Sequence, residues 1–166
     1  MSVEQHHRHA GHKSLKVGVL TASDTRSPET DESGRLIRKM LAAAGHRVEY
    51  YEVLPDDPAR IRAALLDKLA QLDAIIVNGG TGISARDSTI EAVRTLLDKE
   101  LEGFGELFRY LSYQEIGPAA ILSRALAGVA MGKIVVSLPG APEACRLAME
   151  KLLIPELAHM AHLLKL

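Results

Sequence analysis

The chain holds a single cysteine, Cys145, so it can close no internal disulfide and depends on its core alone. It holds a single asparagine, Asn78, and such scarcity of heat-labile side chains is of the kind seen in thermophilic proteins. It has almost no net charge: 20 basic against 21 acidic residues leave -1, which gives no footing for a broad nucleic-acid surface. No apolar run approaches the roughly 20 residues of a membrane span, and no N-terminal stretch resembles a secretory signal. The expectation is a soluble, cytoplasmic protein that engages neither nucleic acid nor membrane. The rest is ordinary globular composition, 47% hydrophobic and 25% charged over 166 residues. That length suits one domain burying about 68–70% of its unfolded surface.

Residues 1–14, "MSVEQHHRHAGHKS", carry four of the seven histidines and almost nothing apolar, and read as a disordered leader with no fixed geometry to organise a metal. Residues 15–166 read as one folded unit. "LKVGVLTAS" (15–23) is a β-branched apolar run, hence a strand. After a polar loop, Leu36, Ile37, Met40, Leu41 and Ala44 recur at helical spacing, and Gly45 stands where a C-terminal cap belongs. "HRVEYYEVL" (46–54) mixes aromatic and charged residues, as a less buried edge strand does. "PDDPAR" opens a second helix with Ile61, Leu65, Leu69 and Leu72 on one face, and "AIIV" (74–77) is the fully buried kind of strand. The succession βαβαβα predicts a three-layer α/β/α fold, a mostly parallel, doubly wound sheet.

Further on, a helix begins near Thr89. Residues 103–117 read as another, with Leu107, Tyr110 and Leu111 on one side. "RALAGVA" and "KIVVSLPG" flank Met131-Gly132 and are expected to pair as a hairpin feeding the sheet. From Pro142 the chain is helical again, with Leu153, Leu157, Met160 and Leu164 on a stripe offering apolar surface to other copies, and Pro155 should kink or restart it.

In an open α/β sheet, ligands bind beyond the carboxyl ends of the strands. The first strand ends in Ser23 and Asp24, the second in Asp56 and Asp57. The third ends in Gly79, Gly80, Thr81 and Gly82, followed by Arg86 and Asp87, and the last in Pro139 and Gly140. A glycine run ahead of a helix can offer consecutive N–H groups to a phosphate. Carboxylates beside a phosphate repel it unless a cation intervenes, and Mg²⁺ held by one or two carboxylates plus phosphate oxygens meets that need. The pattern points to nucleotide or phosphoryl chemistry. A local reading stays open: tight turns use glycine for its positive φ, and Asp87, Ser88 or Thr89 could serve as helix caps. No GxxxxGK[ST] and no GxGxxG is present, and Asn78-Gly79 stands where a phospho-receiver would place an aspartate. Cys145 falls in a helix first turn, where a thiol pKa can drop, though small-residue packing accounts for it as well. His46, His159 and His162 lie outside these motifs.

Six segments, "TASD", "DESGRLIRKMLAAAGH", "NGGTGISARDST", "GFGELFRYLSYQEIG", "ILSRALAG" and "LPGAPEA", follow in order the pattern of the MoaB/MogA family of molybdenum cofactor biosynthesis proteins, to which the gephyrin G domain belongs. The resemblance covers roughly residues 15 to 160. "LSYQEIG" and the "ACR" after the Pro-Gly turn look more like MoaB than MogA. The resemblance implies binding of molybdopterin, a pterin dithiolene carrying a phosphate, and in active members adenylylation of that phosphate with Mg-ATP. By motif match it puts Asp56 and Asp87 in the catalytic and Mg²⁺-holding places. Gly79, Gly80, Thr81 and Gly82 take the phosphate-cradling loop, and Ser23, Asp24, Arg86, Glu106, Ser112, Ser123, Arg124, Pro139 and Gly140 take other pocket segments. It implies a homotrimer or homohexamer. Asn78 stands where Thr is common, and Ala141 where a hydroxyl or amide side chain often follows Pro-Gly. Some MoaB proteins lack the Arg-Asp pair and look inactive, which leaves a molybdopterin-binding module without turnover as the alternative; this chain keeps Arg86 and Asp87.

Overall fold

β-branched and apolar residues fill strand β1, Lys16–Ala22, and all but Lys16 are buried. The computed structural model describes residues 2, 4, 5 and 13–166; most of the leader read from residues 1–14 lies outside the described residues. Helix α1, Glu32–Ala43, starts where the buried Asp31 carboxylate accepts the Gly34 amide (2.9 Å) and ends at Gly45, whose φ of 85° suits a residue without Cβ. The half-exposed strand β2, Arg47–Leu54, precedes α2, Pro58–Leu69, which Asp57 caps by accepting from the Arg60 amide at 3.0 Å. Strand β3, Ala74–Asn78, is buried throughout. The remaining elements are α3 (Thr89–Arg94), β4 (Lys99–Glu100), α4 (Glu102–Ile116), a 3₁₀ turn (Gly117–Leu122), β5 (Leu126–Ala130), β6 (Lys133–Leu138), α5 (Pro142–Ala148), a π turn (Met149–Leu153) and α6 (Ile154–Leu163).

The sheet order is β2-β1-β3-β6-β5-β4. The first four strands run parallel; β5 is antiparallel to β6, and β4 to β5. Edge strand β2 is the one anticipated from its mixed composition. The β5–β6 hairpin turns on Met131 (φ 52°) and Gly132 (φ 71°), a pair of left-handed residues that matches strand twist. Alternating side chains feed two cores. On one face Val19, Ile76 and Val136 pack with Ile37, Phe108 and Leu157 from α1, α4 and α6. On the other, Leu20, Val77 and Val135 pack with Leu65 and Val93 from α2 and α3. The expected three-layer α/β/α fold is what forms, and because β1, β2, β3 and β6 are parallel their carboxyl ends share one rim. Among the described residues no helix is long and apolar enough to cross a membrane.

Two expectations about apolar faces are corrected. In α4 the core is met by Phe108 with the small residues Gly105 and Ser112 one turn either side; of the three expected residues Leu111 packs against the core, while Leu107 and Tyr110 stand 53% and 61% exposed. One large ring between small neighbours lets the helix sit close to the sheet, so its face is not the one with most leucine. The C-terminal stripe is used internally: Leu153 and Leu157 are buried in the core, and Met160 and Leu164 pack against it. Surplus apolar surface lies instead on α4 and the 3₁₀ turn. Pro155 restarts the helix as expected. It lacks an N–H and its ring excludes the carbonyl four residues back, and the preceding turn widens so that the Ile154 amide reaches the Met149 carbonyl five residues back. The two-residue strand β4 is too short and polar to leave a pattern in the sequence.

Candidate active site

Strand β3 stops at Asn78 because the next two residues cannot stay extended. Gly79 has φ 92° and presses against β1 so closely that a Cβ there would lie 2.2 Å from the Ala22 carbonyl oxygen. Its amide donates to Leu138 O at 3.0 Å, tying the loop to the end of β6. Gly80, at φ 62°, gives its carbonyl to the Thr89 amide (3.0 Å), which fixes the start of α3. The Gly80 and Thr81 amides have no hydrogen-bond partner among the described residues. A left-handed turn with free N–H groups is an anion-binding concavity.

Beneath this loop runs a buried polar chain that the sequence did not reveal. Asn78 Nδ2 donates to Thr21 Oγ1 (2.8 Å), Thr21 Oγ1 to Asp31 Oδ2 (2.6 Å), and Tyr51 Oη to the same oxygen (2.7 Å). The Thr21 proton can go only to the carboxylate, so Thr21 must accept from Asn78, which orients the amide. Its members come from four separate segments, and no local spacing could have linked them.

The expected rim residues sort into two groups around the glycine loop. On one side opens a cavity of about 490 Å³, of a size that takes a small molecule. Gly80, Thr81, Gly82 and Asp87 form one wall, Pro139 and Gly140 another, and Ser112 and Ser123, 3.2 Å apart and hydrogen-bonded, a third. Ile116, Leu122 and Leu147 supply apolar surface; the first two fall inside the segments "GFGELFRYLSYQEIG" and "ILSRALAG", where nothing marks them as pocket residues. On the other side stand Asp24, Asp56 and Arg86. A Cβ on Gly80 would fall 2.4 Å from Asp56 Oδ1, so that carboxylate lies directly behind the loop. Asp24 accepts the Asp56 amide (2.9 Å) and Arg86 Nη2 (2.7 Å).

Three expected residues join neither group. Ser23 accepts the Thr25 and Arg26 amides and shapes its own turn. Glu106 lines a separate cleft with Arg94 and Arg109, and Arg124 is paired with Glu91 at 2.5 Å. The two aspartates of "PDD" divide the work, Asp57 capping α2 while Asp56 faces the loop. A wider groove of about 630 Å³ between α1 and β2, around Arg38 and Tyr51, lies on the outer edge of the sheet, away from the strand ends.

The carboxyls differ electrically. The Asp56 amide, and then Arg86, hold Asp24 below the ordinary aspartate range. The Ser84 hydroxyl, chiefly, holds Asp87 low; both the Ser84 amide (3.0 Å) and Oγ (2.7 Å) donate to Asp87 Oδ2. Asp87 therefore bonds back into its own turn and is not a helix cap; Ser88 occupies the cap position of α3 without a side-chain bond. Asp56 is raised, first by burial and then by the charges of Asp87 and Asp24. Cys145 is fully buried, donates to Pro139 O at 3.1 Å, and its thiol is pushed up to about 12 by burial, which leaves it a packing role.

A family described as "Probable molybdopterin binding domain" matches residues 18–159. Molybdenum cofactor biosynthesis protein B of Halalkalibacterium halodurans is 53% identical over 163 residues, covering 96% of this chain and 95% of that protein. A crystal structure of a molybdenum cofactor biosynthesis protein B superposes with TM-score 0.91 at 49% identity, over 93% of this chain and 98% of the other. The tungsten cofactor synthesizing protein MoaB from Pyrococcus furiosus superposes with TM-score 0.81 at 40% identity, over 92% and 96%. Every motif of the rim lies inside the matched span, and the chain belongs to the molybdopterin-binding MoaB/MogA family of molybdenum cofactor biosynthesis proteins.

Proposed function

We propose that the protein binds molybdopterin and adenylylates its phosphate with Mg-ATP. A phosphate oxygen attacks the α-phosphorus of ATP, the bond from that phosphorus to the bridging oxygen breaks, and pyrophosphate leaves with the electron pair. The observation that carries this reading is the glycine loop itself: Gly80 and Thr81 amides without a partner among the described residues, beside a mostly apolar cavity and backed directly by Asp56. The cavity, with Leu122, Leu147 and Ile116, suits a flat ring system, and the loop suits its phosphate. The chain's own task is positioning two phosphorylated substrates and balancing their charge, with no covalent intermediate.

Asp56 and Asp87 would hold the Mg²⁺. Their hard carboxylate oxygens fit it, the mutual repulsion that raises Asp56 is what a cation relieves, and Asp87 uses mainly Oδ2 toward Ser84. Among the described residues no group of three such side chains converges, so phosphate oxygens would complete the shell. Bound there, the ion supplies charge neutralisation for the phosphates. Pyrophosphate release from ATP that requires both molybdopterin and Mg²⁺ tests the reading; tight molybdopterin binding with no release would establish a binding module instead.

The pH dependence has a definite sign. Asp56 must be ionised to serve, and its folded pKa lies above the ordinary aspartate value, so turnover should fall as pH drops through that raised pKa, with the acid limb displaced upward. A carboxyl raised on folding contributes stability at low pH that is lost as pH rises through the folded pKa. The acid limb is therefore read on the wild type, and Asp56→Asn should lose most turnover while leaving melting temperature at neutral pH equal to or above wild type. A melting temperature that falls clearly at neutral pH contradicts the assigned electrostatics.

The family resemblance and the exposed surface together support a homotrimer or homohexamer. Tyr110, Tyr113, Ile116, Ile121 and Leu122 are 54–82% exposed on α4 and the 3₁₀ turn, and large apolar side chains exposed together in one region mark an interaction surface. Ile116 and Leu122 also line the cavity, so assembly would shield its mouth. Light scattering is expected to give a multiple of 18.0 kDa, and Ile121→Glu with Tyr110→Glu to lower it. A clean monomer in the wild type at micromolar concentration excludes the assembly.

A further inference from the structure

The Gly140 carbonyl receives two donors from across the rim. Ser33 Oγ donates to it at 2.6 Å and Arg26 Nη1 at 3.0 Å, from residues 107 and 114 positions away. Ser33 is fully buried in the first turn of α1; Arg26 is half-buried in the loop after β1, held there because its amide donates to Ser23 Oγ at 3.1 Å. Arg26 Nη1 also lies 3.4 Å from Ser33 Oγ, and no other group of its guanidinium has a partner among the described residues. Neither side chain lines the cavity; Gly140 and Ala141 do. Gly140 in turn packs on the phosphate loop, where a Cβ on it would come 3.2 Å from Gly79 Cα.

A peptide is planar, and this one is trans, so its C=O and the following N–H point in opposite directions. Two donors holding the Gly140 oxygen toward α1 and the β1 loop therefore turn the Ala141 N–H the other way, to the cavity. That amide has no partner among the described residues. Drawing electron density toward the carbonyl also strengthens the N–H as a donor. Alanine has no side-chain donor, so this amide is what position 141 can offer.

We infer that Ser33 and Arg26 are positioning residues that aim the Ala141 amide at a phosphoryl oxygen of the bound ligand, joining the Gly80 and Thr81 amides in one site. Under the proposed function that oxygen belongs to the molybdopterin phosphate, and the inference rests on that reading for the ligand's name, though not for its anionic class.

The test is a ¹H–¹⁵N titration of the intact protein with molybdopterin and, separately, with inorganic pyrophosphate. In the wild type the Ala141, Gly80 and Thr81 cross-peaks are expected to move together. In Arg26→Met/Ser33→Ala the Ala141 response should be lost, the other two retained, and Kd raised about tenfold, the loss of one charge-assisted hydrogen bond. Ser33→Thr, which keeps the hydroxyl, should behave as wild type. If the double variant does not fold, Ser33→Ala alone reads the same signal, with Kd raised roughly threefold. An Ala141 peak that ignores both probes in the wild type, or unchanged Kd in the variants, overturns the inference. Movement with pyrophosphate but no response to molybdopterin upholds the amide site and defeats the proposed substrate.

Discussion

Asp87→Asn is expected to cut molybdopterin-dependent pyrophosphate release by about 10²-fold or more while molybdopterin affinity and melting temperature stay near wild type. The structural role of Asp87 is to accept from the Ser84 amide and hydroxyl, both on Oδ2, with a smaller contribution from the Gly82 amide. An asparagine oxygen accepts the same two bonds, so the 84–87 turn should survive. What the substitution removes is charge. Asp87 is the carboxylate held low by its hydrogen bonds, hence ionised at any working pH, and it is one of the two that raise or supply the local negative potential at Asp56. Asp56→Asn should lose turnover similarly, and under the proposed function, in which the two hold one ion, the double variant should lose less than the sum. Turnover of Asp87→Asn within a factor of about three of wild type refutes the metal-holding role and returns Asp87 to a turn former.

The parts of this molecule legible in the sequence are those encoded locally. β1, β2 and β3 announce themselves by composition, α1 by its spacing and Gly45, and the β5–β6 hairpin by Met131-Gly132. Parallel strands then place their ends on one rim, so the sequence alone groups Asp24, Asp56, Gly80, Asp87 and Gly140. Periodicity could not tell which face of α4 is inward, because the sheet is met by Phe108 between Gly105 and Ser112, a shape decided by close approach and not by leucine count. The same limit hid the division of "PDD": two adjacent aspartates are identical in composition, and only the direction of α2 decides that Asp57 caps it and Asp56 faces the loop.

The long-range polar work was not legible at all. Asn78 looked like a substitution within a motif, whereas its amide ends a chain through Thr21 to Asp31 and Tyr51 across β1 and β2. Ser33 and Arg26 meet Gly140 across more than a hundred residues. Family resemblance points to Ser112 and Ser123, while Ile116 and Leu122 in the same segments carry no mark of a pocket role, since an exposed apolar residue beside a Gly-Pro turn is unremarkable until the cavity is seen. Conversely, Glu106 shares the motifs and lines a separate cleft, and Arg124 is paired with Glu91 and reaches Asp87 only through its charge.

Gly79→Ala and Gly80→Ala are expected to fail in different ways, although the residues are adjacent and both have positive φ. At Gly79 a methyl would meet backbone: the Ala22 carbonyl oxygen is 2.2 Å away and belongs to a buried β1 residue that is itself paired with β2. With φ at 92°, outside the left-handed region where alanine is tolerated, nothing can give except the sheet. A cost of about 3 kcal/mol or more is expected, a large part of a domain's total stability and enough to lower Tm by roughly 6–12 °C or prevent folding. At Gly80, φ of 62° is a left-handed geometry that alanine enters for about 1–2 kcal/mol. The atoms a methyl would meet there are side-chain ends, Thr89 Oγ1 at 2.2 Å and the Asp56 carboxylate oxygens at 2.4 and 2.7 Å. These can rotate aside, so the fold should survive, but Asp56 then leaves its place behind the loop. A displacement of that size is sufficient to cost about 10²-fold in turnover. Gly80→Ala should thus keep a cooperative melt and lose pyrophosphate release. Near-normal release in folded Gly80→Ala would mean that Asp56 does not act from where the loop now holds it.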